Sequence, residues 1–184
     1  MQVKGTVFKS SIEYIKTRFG EEGFQRILSN LSPEEQSVLL LRVSAALWYP
    51  FELYINLSKS ILKEFGEMNP KVLREMGGYS AEKGLYGAYK IIFRLGTPTY
   101  IIKIARKAYS LYFDRGILEI HESGECMVKL KLHDITEIND LHLERILGWM
   151  EKTFEMTGGK DPFVEVFEKN YEEMYVIFKG TWTE

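Results

Sequence analysis

The spacing of apolar residues changes near Arg115, and this change constrains the fold of the 184-residue chain more than any other feature. Before Arg115, apolar residues recur at steps of three and four, as they do along one face of an α-helix. After Gly116 they alternate with polar residues, which is typical of β-strands with one buried face. Because no linker rich in proline or serine separates the two parts, we predict a single α+β domain over residues 1–184. Its mostly helical part should span about 10–112 and pack on an antiparallel β-β-α-β-β part at about 116–183.

The helical part is predicted to follow a short β-prone strand at Val3–Phe8. A first helix should open at Ser10 or Ser11 and stop at Gly20, and a second helical piece should run to Leu31.

The stretch Ser32-Pro33-Glu34-Glu35 predicts a new helix, because serine can cap free amides, proline suits the first turn and Glu35 completes a capping box. Pro50 cannot donate to a helical hydrogen bond, and it favours extended geometry in the residue before it. We therefore expect the helix that begins at Pro33 to end near Ala46 and another to begin at Pro50. Trp48 and Tyr49 would lie in the corner between them.

Glycine and proline also divide the remainder of the helical part. Gly77-Gly78 are predicted to break a short helix, and Ser80 is predicted to cap the next one. Thr97-Pro98 should begin a last helix that reaches about Tyr112.

The alternating part predicts two hairpins on either side of one helix. In the first hairpin, strands at Ile117–His121 and Cys126–His133 flank a turn that would place His121 opposite Val128. The helix should be capped by Asn139 or Asp140.

The second hairpin is predicted from strands at Phe163–Phe167 and Met174–Thr183. Together the two hairpins and the helix give an antiparallel sheet with a helix packed on it.

Charge and cysteine content exclude several classes of protein. The chain has 24 Lys and Arg against 26 Asp and Glu, a net charge of −2, so no overall positive field is available to hold nucleic acid. Its apolar runs are too short to span a membrane, and Cys126 is its single cysteine. We expect a cytoplasmic protein without a membrane span or a nucleic-acid partner.

No set of residues has the spacing of a catalytic or metal site. His121, His133 and His142 match no ligand motif, and we expect them to be solvent-exposed. Cys126 lies on the apolar phase of its strand, which predicts a buried, inert thiol. We therefore predict no catalytic residue, no metal and no cofactor, which favours a protein that is not an enzyme.

Aromatic residues make up 14% of the chain and are its one unusual property. Such rings can fill a core, line an apolar cavity or form an oligomer interface, and the sequence leaves these three alternatives open. The rings that we expect to line a cavity or an interface are Trp48, Tyr49, Phe51, Tyr54, Tyr89 and Phe93.

Four stretches of the chain resemble a bacterial paralogous family of unknown function that is known mainly from myxobacteria. They are VKGTVFKSSIEY, SPEEQSVL, WYPFELY and the C-terminal GWMEKTFEMTGGKDPFVEVFEKNYEEMYVIFKGTW. The residues that match as motif positions are Gly5, Trp48, Tyr49, Pro50, Glu52, Gly148 and Trp149.

The layout also resembles a wider fold group, which contains 4-vinyl reductase domains, haem nitric-oxide/oxygen-binding domains and subunits of the Golgi transport-protein particle. This resemblance implies an α+β fold with helices against an antiparallel sheet, and it implies no particular activity. The stretch Glu165–Phe178 lacks the cysteines that 4-vinyl reductase domains often carry. The chain also lacks the Tyr-x-Ser-x-Arg signature of the haem-binding relatives.

These observations favour a non-catalytic sensory or regulatory module that binds a small apolar ligand or a protein partner. One alternative is a haem- or tetrapyrrole-binding protein or enzyme, in which a histidine, Cys126, a methionine or a tyrosine would supply the axial ligand. Another alternative is a structural subunit of a homodimer.

Overall fold

The computed structural model of the protein describes residues 1–41, 43–66, 69–85 and 105–183. The described helices are α1 (Gly5–Ser29), α2 (Pro33–Leu40), α3 (Phe51–Phe65), α4 (Lys71–Leu85), α5 (Ala105–Ser110) and α6 (Asp140–Met156). The described strands are β1 (Gln2–Lys4), β2 (Trp48–Pro50), β3 (Ile117–Gly124), β4 (Met127–His133), β5 (Lys160–Asn170) and β6 (Tyr175–Thr183). The predicted helix start at Thr97-Pro98 lies outside these residues.

A four-stranded antiparallel sheet in the order β3-β4-β6-β5 forms the C-terminal part, with α6 between its two hairpins. Alternate residues of β4, namely Val128, Leu130 and Leu132, are buried and join one hydrophobic core with residues of the helices. This arrangement confirms the predicted α+β fold and its β-β-α-β-β order. The alternation is clearest in β4, which buries one face only.

The N-terminal strand is shorter than the sequence predicts. β1 ends at Lys4, and residues Thr6 to Phe8 are already helical, so the strand expected at Val3–Phe8 is wrong beyond its second residue. A Cβ at Gly5 would lie 1.9 Å from the carbonyl oxygen of Ser44, so the chain turns there in a space that only glycine fits.

Gly20 interrupts α1 as predicted, with a backbone φ of 72° and ψ of −177°. This φ lies in the region that favours glycine. The chain becomes helical again after Gly20 and continues to Ser29, so the two predicted helical pieces follow one another directly.

The capping box at the start of α2 is present as predicted. The Ser32 hydroxyl accepts a hydrogen bond from the Glu35 backbone amide at 3.2 Å, and the Glu35 carboxylate accepts one from the Ser32 amide at 2.9 Å. The predicted end near Ala46 is wrong, because α2 stops at Leu40. Beyond it, the Ser44 amide donates to the Tyr49 hydroxyl at 2.9 Å instead of to a helical carbonyl.

The predicted corner at Trp48-Tyr49-Pro50 is a short strand. Here β2 pairs antiparallel with β1, with Val3 opposite Tyr49, and Pro50 precedes the first residue of α3. Trp48 is 37% exposed and its ring lies 4.4 Å from the Lys4 ammonium. The proline thus starts α3 as expected, while the residues before it pair with the N-terminal strand β1.

Helix α4 continues through Gly77-Gly78, so the predicted break at this pair is wrong. A Cβ at residue 77 would lie 2.0 Å from the carbonyl oxygen of Arg145 in α6, so Gly77 serves close helix packing. Ser80 is consequently an interior helical residue and not a cap, and its hydroxyl lies 2.8 Å from that of Ser10.

The first hairpin has a bulge at His121. Ile120 pairs with Leu130 but Glu122 pairs with Lys129, so β3 contains one extra residue. As a result Val128 lies opposite Ser123, and its predicted pairing with His121 is wrong.

Cys126 lies in the turn of the first hairpin with φ 53°, half-buried, and not in a strand as predicted. The second hairpin is confirmed, although β5 begins earlier than expected, at Lys160. The predicted cap of α6 is confirmed as well, because the Asn139 side chain accepts from the Leu141 amide at 3.2 Å.

Candidate functional site

A cavity of about 60 Å³ lies where the helices meet β3. Its lining comes from α1, α3, α4, α5, α6 and β3 and is mostly apolar. The apolar residues that line it include Val7, Ala108, Phe113, Leu118, Ile146 and Met150. A bound water needs roughly 10–15 Å³, so the cavity has room for about four to six waters or a ligand of a few non-hydrogen atoms.

Arg145 of α6 lines this cavity and is only 4% exposed. Its guanidinium donates to the Ser11 hydroxyl at 2.6 Å and to the Ser58 hydroxyl at 3.4 Å, and it lies 4.4 Å from the Tyr54 ring. Each serine hydroxyl donates in turn to a carbonyl of its own helix, which leaves its oxygen lone pairs for the arginine. In the part of the chain that the structure describes, no carboxylate forms an ion pair with Arg145.

Burial lowers the pKa of Arg145, although an arginine keeps its charge at neutral pH. A buried charge without a counter-ion costs several kcal/mol, by order of magnitude. Its usual compensation is a carboxylate that accepts two parallel hydrogen bonds. Here two neutral hydroxyls and the face of one ring are its protein partners.

His142 lies one helical turn before Arg145 and is 3% exposed, so the expectation that it is solvent-exposed is wrong. Its Nδ1 lies 3.1 Å from the Tyr54 hydroxyl and its Nε2 lies 3.3 Å from the Tyr109 hydroxyl. Burial, with a smaller contribution from the Arg145 charge, lowers the pKa of His142 to about 3. The imidazole is therefore neutral at physiological pH, with one nitrogen donating and the other accepting.

Trp149 is the second polar side chain of α6 that lines the cavity, after Arg145. Its indole Nε1 is buried, and no acceptor for it exists among residues 1–41, 43–66, 69–85 and 105–183. Arg145 and Trp149 are four residues apart on one helix, so they share a face. Arg145 and Trp149 thus add two buried donors of α6 to a mostly apolar lining.

The aromatic residues singled out from the sequence lie in different environments. Tyr54 lines the cavity, and Phe51 is buried with its ring 5.2 Å from that of His142. Tyr49 is half-buried against Phe8, with 5.4 Å between the ring centroids. Trp48 lies on the surface. Tyr89 and Phe93 fall outside the described residues.

Sequence reasoning missed Arg145, His142 and Trp149 as members of this site. The available signal is their spacing: positions 142, 145 and 149 follow one another at steps of three and four, as residues of one helical face do. That face adjoins the apolar positions Ile146 and Met150.

Solved structures with the same architecture are H-NOX domains. The Fe(II) unliganded H-NOX protein from K. algicida is 16% identical, with a TM-score of 0.74 over 98% of this chain and 97% of that one. An oxygen-binding H-NOX domain related to soluble guanylate cyclases, in its oxygen complex, is 11% identical, with a TM-score of 0.71 over 98% of this chain and 95% of that one. The fold is that of H-NOX domains. This confirms the predicted fold group.

No protein-family model matches the chain, and no curated protein matches it in sequence. At these low identities the H-NOX likeness shows the fold alone. What the site binds has to follow from the residues of this chain.

Haem is the group that an H-NOX fold implies, and the three histidines of the chain do not fit it as axial ligands. Both nitrogens of the buried His142 are engaged by tyrosine hydroxyls, so neither is free to coordinate iron. His121 is exposed, and His133 lies on the strand face opposite the buried Val128, Leu130 and Leu132. Residues 86–104, which the structure does not describe, contain no histidine, cysteine or methionine in their sequence.

The described residues also bear on metal binding and on membrane insertion. They contain no group of three or more histidine, cysteine, aspartate or glutamate side chains placed to hold a metal ion. None of the described helices combines the length and the apolar character that crossing a membrane requires.

Proposed function

We propose that this chain is a sensory module with the H-NOX fold whose cavity binds a small, largely apolar ligand in place of haem. The observation that carries this proposal is the cavity of about 60 Å³ at the junction of the helices and the sheet, with its apolar lining. Ligand sites are typically concave, mostly apolar and supplied with a few convergent polar groups. The polar residues of this lining are Tyr54, Ser80, Tyr109, Tyr112, Arg145 and Trp149.

The position of the cavity suits a sensory role. Five helices and β3 contribute to its lining, so a ligand would contact both parts of the fold at once. A ligand that fits one arrangement of these elements better than another shifts the population toward that arrangement.

Titration with small apolar molecules tests the proposal. We expect benzene or toluene to shift the methyl NMR resonances of Val7, Leu118 and Ile146, which line the cavity, and to leave those of the exposed Leu41 unchanged. The substitution Ala108→Leu should fill part of the cavity and weaken this binding. Ala46→Leu is the matched control, because Ala46 is exposed. Equal shifts at all four residues, or no shift at any, would rule out the proposed cavity site.

A haem-binding function is the second candidate, because the solved structures with this fold include a haem protein studied for porphyrin distortion. It requires an axial ligand, and none of the three histidines is placed to supply one. Protein purified after haem-supplemented expression should therefore show no Soret absorption band. A stoichiometric Soret band would overturn our proposal and would show that the chain supplies an axial ligand.

A further inference from the structure

The buried charge of Arg145 carries an inference about the class of ligand, and this inference rests on the proposed function. The guanidinium is 4% exposed and its hydrogen-bond partners are the hydroxyls of Ser11 and Ser58. Neutral hydroxyls satisfy donors, but they do not compensate a charge.

The sequence of the segment between α4 and α5 offers no acidic residue that could pair with Arg145. Residues 86–104 contain no aspartate and no glutamate, whereas they contain Lys90, Arg94 and Lys103. The nearest comparison is Arg74 of α4, which donates to both carboxylate oxygens of Glu151 at 2.9 and 2.6 Å. Thus one arginine beside α6 has its carboxylate, while the arginine at the cavity has none in the described chain.

A second donor at the cavity has no acceptor either. The Trp149 indole nitrogen is buried and without a hydrogen-bond partner among the described residues. Unpaired buried donors are uncommon in proteins and call for an explanation. A ligand that carries acceptor oxygens and a negative charge would satisfy both Arg145 and Trp149.

We propose that the cavity binds a short-chain monocarboxylate, whose carboxylate accepts hydrogen bonds from Arg145 and Trp149 and whose aliphatic part contacts Val7, Leu118 and Ile146. A single carboxylate matches the positive charge of Arg145, which has no counter-ion in the part of the chain that the structure describes. The apolar lining and a volume of about 60 Å³ favour a chain of a few carbons over a sugar phosphate or a nucleotide.

Butyrate and butyramide are suitable probes, because they have the same shape and differ in charge. We expect butyrate to bind the full chain at pH 7 at least tenfold more tightly than butyramide, in titrations followed by methyl NMR or calorimetry. The indole N–H resonance of Trp149 should move downfield with butyrate. The indole N–H resonances of Trp48 and Trp182 should not shift. Trp149→Phe assigns the signal and should weaken butyrate binding severalfold.

The substitution Arg145→Met should reduce the preference for butyrate over butyramide to less than about twofold. Arg74→Met, which removes an arginine already paired with Glu151, should leave the preference intact. If Arg145→Met does not fold, the affinities of the unmodified protein for butyrate and butyramide still decide whether the cavity prefers a carboxylate.

The outcomes separate this inference from the proposed function. Equal affinities for butyrate and butyramide would overturn the carboxylate assignment and leave an apolar ligand site. A preference that survives in folded Arg145→Met would also overturn it. If benzene, butyramide and butyrate all fail to shift the resonances of the cavity, both the assignment and the proposed function are wrong.

Discussion

Gly148 of α6 and Arg74 of α4 are in direct backbone contact: a Cβ at position 148 would lie 1.8 Å from the carbonyl oxygen of Arg74. The reciprocal contact joins Gly77 of α4 to the carbonyl of Arg145, at 2.0 Å from the corresponding Cβ position. The two helices therefore touch through two glycines, one on each helix. This contact fixes the backbone of α6 at the residue whose side chain lines the cavity.

Alanine substitutions at these glycines should be strongly destabilising. Gly77→Ala and Gly148→Ala each force a methyl group into a backbone carbonyl, and overpacking of this kind costs about 1–3 kcal/mol or more. Gly78 is the matched control, because its Cβ would have no neighbour closer than 3.6 Å. Gly78→Ala should stabilise the helix by about 0.5–1 kcal/mol. Urea denaturation measures all three, and similar values for Gly77→Ala and Gly78→Ala would contradict the helix contact.

The buried His142 predicts that acid destabilises the fold. Its pKa is about 3 in the folded protein against 6.5 for an ordinary histidine, so between these values the unfolded state binds more protons. The contribution of His142 to stability is complete above pH 6.5 and decreases as the pH falls toward 3, by up to about 1.4 kcal/mol per pH unit. Urea denaturation between pH 4.5 and 7 measures this. As the pH falls, the free energy of unfolding should decrease more steeply for the unmodified protein than for His142→Gln. His121→Gln, at an exposed position, should show the same pH dependence of the free energy of unfolding as the unmodified protein.

The hydroxyl of Tyr54 is predicted to contribute to stability through His142. Tyr54→Phe removes the partner of His142 Nδ1 in a fully buried environment, and an unsatisfied buried group costs about 1–3 kcal/mol. Tyr171→Phe, at a residue that is 62% exposed, should change the free energy of unfolding by less than about 0.5 kcal/mol. Equal effects of the two substitutions would show that the buried hydrogen bond makes no net contribution to the free energy of unfolding.

Trp48 and Trp182 offer a test of the surface at β2. Trp182 is 9% exposed and packs against Phe154, so Trp182→Ala should cost about 3–5 kcal/mol. Trp48 is 37% exposed, and Trp48→Ala should cost about 1 kcal/mol, mainly from the contact with Lys4. A cost for Trp48→Ala as large as that for Trp182→Ala would indicate that a second copy covers Trp48 in solution. Light scattering would then show a dimer.

The sequence determined the features that depend on neighbouring residues. The alternation after Gly116 predicts the antiparallel sheet because side chains of a strand point to opposite faces in turn. Ser32 to Glu35 predicts the start of α2 because a capping box closes within four residues. These local patterns were enough to predict the α+β fold and the β-β-α-β-β order of elements along the C-terminal part of the chain.

Only the tertiary structure decided what lies around the cavity. Arg145 meets Ser11 across 134 residues of sequence, and Tyr54 meets His142 across 88. The glycine pair that was expected to break α4 lies within that helix, where Gly77 allows close contact with α6. A bulge at His121 shifts the register of the first hairpin. Such features depend on which backbones and side chains meet in space, and a local pattern of residue types contains no information about distant partners.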